Sequence, residues 1–368
     1  MSILNKATGR SMGPSLAIRA RRGWIGIDFG THSIKLAQLV RRGPEFHIAA
    51  RWTLSHPSLS PVSGADSYSD AMQDQIAKLK ALRRLFLGRA CAAVLPMALV
   101  EHRSFEIPKG TESEQNRMMG EELAAELAVE PQELAFDCWD CSPSEIPNSD
   151  VARMSVNAVP KKLAETLANQ LLSTGLECQV LDGIPCAMAR AVELASPKPS
   201  DGSVVAIDLS YTLPLVVLAK AGRPLFARTL RGVGMRSIEQ PLQTSLELSF
   251  DECQQLLVRY GLTAIGQPPT LATGKTMQII AHPLQDLLAE IKRTVDYICD
   301  NFRAHKPRHV CLFGGGALIK NLPGHISHKL QMPATPWTLG GTHSDPSDAI
   351  YGLAAGLSAL AWESAVCS

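Results

Sequence analysis

The chain has little of several things, and each shortage removes a class of function. No apolar run reaches the roughly 18 residues of a membrane-spanning helix; the longest candidate, residues 349–362, is short and broken by glycines. Net charge is +1 over 368 residues, so the basic surplus that nucleic-acid binding calls for is missing. The 9 cysteines are odd in number and scattered, with Cys91, Cys186, Cys299 and Cys311 in apolar settings. They read as reduced core thiols, not as a disulfide framework. The one close pair, Cys138 and Cys141, lacks the second pair that zinc would want and the helix start of a redox motif. Residues 133–140 alternate like a strand there, so two incidental thiols are expected. His325 and His328 have no acid or cysteine near them and read as solvated side chains. No Ser-His-Asp or GxSxG arrangement stands out.

The amino terminus also lacks acids, of which the first is Asp28. Residues 1–23 carry Lys6, Arg10, Arg19, Arg21 and Arg22 but no continuous apolar stretch or cleavage site, so no secretory signal is expected. They read as a basic flexible tail; a weak electrostatic touch on an anionic membrane surface is the alternative.

What is present is enough for two ordinary cores: 45% hydrophobic and 19% charged residues over this length. Strands are expected at 24–29, 34–40 and 45–54, then a polar, proline-rich linker over 55–70, then a helix with Ile76, Leu79, Leu82, Leu85 and Phe86 on one stripe. From about 95 to 172 short strands (99–105, 134–139, 151–159) interleave with helices at 112–127 and around Leu163, Leu167 and Leu171. That pattern reads as a small α+β subdomain inserted in a first lobe, 24–200. After a linker at 196–202 the opening theme returns: VVAID ending at Asp208 answers IGID ending at Asp28. The repeat suggests a duplicated lobe over 201–368.

Small residues recur four apart at Ala187, Ala191 and Ala195, and again at Gly352 and Gly356, spacing that permits close helix packing. Ser249 to Glu252 forms a capping box, His282-Pro283 is expected to open a further helix, and strand 309–313 runs into three glycines.

Three elements carry candidate chemistry. In DFGTHS (28–33), Gly30 permits unusual dihedrals, while Thr31, His32 and Ser33 surround a turn whose backbone N–H groups suit phosphate oxygens. Asp28 suits a hydrated Mg²⁺, and Lys35 suits a phosphate as a point charge. Asp208 closes the second copy, and Gly314, Gly315 and Gly316 let backbone lie against a base or sugar. Each is weak alone; in this order they form one constellation.

With these motifs the chain resembles the actin/Hsp70/sugar-kinase superfamily, and most closely the family of the type IV pilus assembly protein PilM, related to FtsA. The resemblance rests on GIDFGTHSIKL (26–36), FEIP (105–108) with the acidic helix bearing Glu121 and Glu122, residues 131–140, Gly232-Val-Gly234, 312–317, Leu322-Pro323 and 349–354. It runs over about 24–359 and implies a two-lobed actin-like, ribonuclease H-like duplicated α/β fold. It further implies a cytoplasmic component, peripheral to the inner membrane, of the platform behind pilus biogenesis and twitching motility. The implied partner is the N-terminal tail of a PilN-like inner-membrane protein, seated in a groove beside the insert, with other platform proteins nearby and membrane association indirect. ATP and Mg²⁺ are the implied cofactors, with Asp28 and Asp208 at the metal and Asp208 catalytic.

Departures from the family pattern weaken that cofactor expectation. Ser210 and Pro214 stand where the second phosphate motif wants glycine and threonine, and Gln254 and Leu257 where relatives carry a ribose-contacting Glu and Lys. Each lost bond to a charged group costs about 1.5–3 kcal/mol. Three readings stay open: a nucleotide-regulated adaptor that is at most a weak ATPase, a scaffold of the same fold that binds no nucleotide, and a small-molecule kinase.

Overall fold

A computed structural model describes residues 21–56, 64–142, 150–195, 202–340 and 345–363. The expected basic tail lies outside the described residues apart from Arg21, Arg22 and Gly23, as do the centres of the expected linkers. The first half runs β1 (Arg21–Arg22), β2 (Ile25–Phe29), β3 (Ser33–Arg42), β4 (Glu45–Ser55), α1 (Gly64–Leu82) and β5 (Ala90–Val94). It continues with β6 (Glu101–Pro108), α2 (Glu112–Leu127), β7 (Leu134–Asp140), β8 (Val151–Pro160), α3 (Lys161–Ser173), β9 (Glu177–Asp182) and α4 (Ile184–Ala195). The second half is β10 (Val204–Asp208), β11 (Leu215–Lys220), β12 (Arg223–Thr229), α5 (Met235–Leu246), α6 (Phe250–Arg259) and α7 (Leu271–Asn301). It ends with β13 (Val310–Phe313), α8 (Leu322–Leu330), β14 (Ala334–Pro336) and α9 (Gly352–Ser358).

Two sheets repeat one plan. The first orders β4-β3-β2-β5-β9, with β1 pairing Val40 and Arg41 near the end of β3; the second orders β12-β11-β10-β13-β14. In each, two antiparallel pairings are followed by two parallel ones. The strands ending near Asp28 and Asp208 are therefore equivalent central strands, covered on both faces, which is why IGIDF is buried throughout. A third sheet, β6-β8-β7, is wholly antiparallel and carries α2 on its own small core. Thr111 opens α2 by a reciprocal capping box with Glu114, and Ser249 does the same for α6 with Glu252.

Between the two sheets, α4 packs on β11 and β12 while α9 packs on β2 and β3, and the two helices touch. The small residues make this possible. A Cβ on Gly356 would collide with the Ala187 carbonyl and lie 3.3 Å from Ala191 Cβ, and one on Gly26 would strike the Ala354 carbonyl. Trp337, fully buried beside them, donates its Nε1–H to the Ala191 carbonyl at 2.8 Å.

Several local expectations are corrected. Helix α1 reaches back to Gly64, into the expected linker. Leu85 leaves the buried stripe and is 45% exposed, because the chain tightens into a 3₁₀ turn at Arg83–Leu85 and the helical period changes. His282-Pro283 does not start a helix; α7 begins at Leu271 behind a Thr270–Thr273 cap and runs through Pro283. Proline's φ is helical, and Ile280, Leu284 and Leu287 on either side bury into the same core, which offsets the lost N–H. The three glycines lead into a 3₁₀ turn, Gly315–Leu318. Finally, His325 is tied down, its Nε2 lying 2.8 Å from the Thr263 carbonyl oxygen.

Candidate functional site

The β2–β3 turn is closed by Gly30 N–H donating to the Ser33 carbonyl at 3.0 Å. A Cβ on Gly30 would lie 2.8 Å from that oxygen and 3.0 Å from Lys35 Nζ, so the position accepts only glycine without a shift. Lys35 Nζ stands 3.2 Å from Asp28 Oδ2, so the ammonium expected at a phosphate is paired with the aspartate at the turn.

Asp208 faces Asp28 from the second sheet; both are 6% exposed. Burial, with the Asp28 charge adding, pushes the Asp208 carboxyl up to about 7, against the opposing pull of Lys35 and a hydrogen bond from Ser210. Ser210 thus supports the carboxylate as well as adding bulk. Over this pair lies the glycine turn. Gly314 has φ +79°, and a Cβ on it would come within 2.5 Å of Asp208 Oδ1. One on Gly316 would lie 2.6 Å from Leu209 Cβ and 2.7 Å from Met235 Sδ, whereas Gly315 faces open space.

These parts line one cavity of about 590 Å³ between the lobes: Asp28, Gly30, Thr31, His32, Ser33 and Lys35 from the hairpin, Asp208 from β10, and all three glycines. Ser210 and Gln254 line it too; Pro214 and Leu257 do not. Leu257 is buried in the second-lobe core and Pro214 lies at the foot of β11, its carbonyl accepting from Leu230 N–H at 2.7 Å.

His32 does something the residue pattern does not announce. Its ring leaves the hairpin and stacks on Phe250 of α6 at 4.3 Å, with Tyr211 edge-on at 4.1 Å. Nε2 is buried without a partner. Burial, then the neighbouring charges of His56 and Lys35, lower its pKa to about 4, so the ring is neutral at pH 7. Tyr211, Phe250 and Glu239, all cavity-lining, escaped the sequence reading. Only Glu239 leaves a trace there, as an acid on the apolar face of α5 beside Met235, Ile238 and Leu242.

A second concavity, about 420 Å³, opens between β7 and β8 of the third sheet, α3 and β9. Its walls are largely small and apolar, with Ala158, Val159, Ala164 and Ala168, and two buried donors on it, Trp139 Nε1 and Asn157 Nδ2, lack partners. Asn157 is held by His102, whose Nδ1 lies 2.8 Å from its Oδ1. Cys138 and Cys141 stay free thiols, both raised in pKa by burial, Cys138 to about 11. Among the described residues no group of three or more metal-binding side chains forms.

Comparison with solved structures shows the fold. A chain of a PilM–PilN type IV pilus biogenesis complex aligns at a TM-score of 0.69 with 19% identity, covering 92% of this chain and 98% of that one. The ethanolamine utilization protein EutJ from Carboxydothermus hydrogenoformans aligns at 0.51 with 14% identity, covering 92% and 89%. The fold is the two-lobed actin-like one. The family model for the type IV pilus assembly protein PilM matches residues 26–336. That span holds the hairpin, the third sheet and the glycine turn, and the chain belongs to the type IV pilus assembly protein PilM family.

Proposed function

We propose that this chain is an adaptor of the pilus inner-membrane assembly platform that holds the N-terminal tail of a PilN-like membrane protein. The observation that carries the reading is the groove of about 420 Å³ beside the third sheet. Trp139 Nε1 and Asn157 Nδ2 lie there buried and unpartnered, and an extended peptide brings the carbonyl oxygens such donors lack. A solved neighbour, the PilM–PilN type IV pilus biogenesis complex, supports the choice of occupant. Among the described residues no helix is long and apolar enough to cross a membrane, so in this reading attachment to the inner membrane, on its cytoplasmic side, comes through the partner. The division of labour is a first lobe over 24–200 with an insert of about 95–172, and a second lobe over 201–368.

The test is binding of a labelled synthetic PilN-like tail, read by fluorescence anisotropy. Ala168→Arg, which places a long cation in the groove from the half-buried face of α3, is expected to weaken binding at least about tenfold, since burying an unpaired charge costs more than 1.4 kcal/mol. Unaltered affinity in that variant, or no binding by wild type, overturns the assignment.

The interlobe cavity is proposed to hold ATP with Mg²⁺. Gly30, Gly314 and Gly316 leave room that a Cβ would fill, and Asp28 and Asp208 form a carboxylate pair that a divalent cation relieves. Asp28 and Asp208 would hold the metal, the hairpin residues and Lys35 the phosphates, and the glycine turn the nucleoside. The metal's chemistry there is charge neutralisation of the phosphates, and Asp208 is the candidate for any slow hydrolysis. A nucleotide-free scaffold is the competing reading, favoured by the Lys35–Asp28 pair and by His32 lodged among second-lobe rings. Titration with fluorescent ATP and Mg²⁺ separates the two. Saturable binding lost in Asp28→Ala supports the nucleotide; none in wild type at millimolar ligand supports the scaffold.

A further inference from the structure

Glu239 is 2% exposed on α5, lines the interlobe cavity, and sits among the buried Met235, Ile238 and Leu242. Its Oε1 accepts a hydrogen bond from Gln254 Nε2 at 2.7 Å, while Oε2 is buried with no partner. Burial pushes the group up to about 7, with Gln254 pulling the other way. A buried carboxylate oxygen left unbonded is unfavourable, and in a cavity wall it is relieved by a ligand that brings a donor.

The chemistry of that donor can be narrowed. A phosphate suits Glu239 poorly, since a carboxyl held up to about 7 is still ionised in a large share of molecules at neutral pH and like charges repel strongly at a dry site. Met235, one helical turn before Glu239, abuts Gly316, so the carboxylate lies a single turn along α5 from the glycine turn. Gln254 is the second half of the device. Its amide carries two N–H groups, one of them spent on Glu239, so the pair presents a carboxylate acceptor beside an amide donor. A hydroxyl both donates and accepts and suits such a pair, and two adjacent hydroxyls suit it better than a base amino group, which only donates.

We propose that Glu239, held in place by Gln254, accepts hydrogen bonds from the sugar hydroxyls of a nucleotide in the cleft and makes the site selective for ribonucleotides. The proposal rests on the nucleotide reading above and assigns the carboxylate contact to α5, position 254 of α6 being a glutamine. Gln254 is a positioning residue as well as a contact, because its hydrogen bond to Oε1 leaves Oε2 as the unpartnered oxygen.

The experiment compares ATP with 2′,3′-dideoxy-ATP, which lacks only those hydroxyls, in equilibrium titrations with Mg²⁺ on wild type, Glu239→Gln and Glu239→Asp. Wild type is expected to bind ATP at least about tenfold tighter than the dideoxy compound, as befits hydrogen bonds to a charged group. Glu239→Gln should erase the preference by weakening ATP while leaving the dideoxy affinity unchanged, and Glu239→Asp should restore part of it. Removing a buried charge favours folding of the Gln variant, and an unchanged far-UV spectrum and melting transition no lower than wild type verify it. A wild type that binds both compounds alike, or a Gln variant that keeps the preference, overturns the role of Glu239 and leaves the nucleotide reading standing. No ATP binding by wild type overturns both.

Discussion

At the scale of single residues, Asp208 is where energetics and function pull apart. Its carboxyl is held up to about 7 by burial and by the Asp28 charge, above the ordinary value near 4. A raised folded-state pKa means that the native chain holds a proton the unfolded chain has released. Stability from this group is complete below about pH 4 and is lost as pH rises through about 7. Asp208→Asn removes the loss, so without ligand the variant should exceed wild type by an amount that grows between pH 4 and 7 and then levels off. The plateau is on the order of 2 kcal/mol, less than the full shift implies because nearby groups relax. Glu239 shifts in the same direction, so the difference between variant and wild type isolates Asp208. Urea unfolding at several pH values measures it, and a variant less stable than wild type at pH 8 would contradict the carboxylate's strained state.

At the scale of elements, the crossing of α4 and α9 is the joint between the lobes. Gly356 lets the helices approach until backbone meets side chain, with Ala187 and Ala191 opposite. Gly356→Leu should cost at least about 3 kcal/mol, since overpacking alone costs 1–3 and the obstacle here is a carbonyl group that cannot rotate away. Chemical denaturation reads it; a loss below 1 kcal/mol would mean that the helices separate easily. This joint was legible in the sequence because small residues four apart are a periodic signal. Strands β5 and β9 were not. ACAAV has little of the β-branched character that marks strands, and it becomes one only by lying parallel between β2 and β9. The same limit hid Phe250 and Tyr211, since residues meeting across a cleft leave no spacing to find. The hairpin and glycine positions, by contrast, were visible one by one because each is a local backbone requirement.

At the scale of the whole molecule, two equivalent sheets are bound differently at the back and the front of the cleft. The back is firm: α4 meets α9, Arg51 of β4 pairs with Asp345 at 2.9 Å and with Asp348, and Thr53 donates to Tyr351 Oη at 2.9 Å. At the front, the ring contacts across the lobes are those of His32 with Phe250 and Tyr211. Such contacts are worth about 0.5–1.5 kcal/mol each beyond burial. They are too weak to hold the fold and of the right size to bias cleft opening. Phe250→Ala should therefore leave the melting temperature within a few degrees of wild type, because the back of the cleft is untouched. Amide exchange in the hairpin 29–33 should accelerate about 5- to 10-fold, the factor that loss of about 1–1.4 kcal/mol from the closed state gives. Exchange in β8 and α3, beside the proposed peptide groove, is the informative control. If it accelerates too, the front of the cleft and the groove share one opening equilibrium, and a ligand in either changes affinity at the other by the same factor. If it stays constant, the cleft opens without the groove, and occupancy of one site carries no signal to the other.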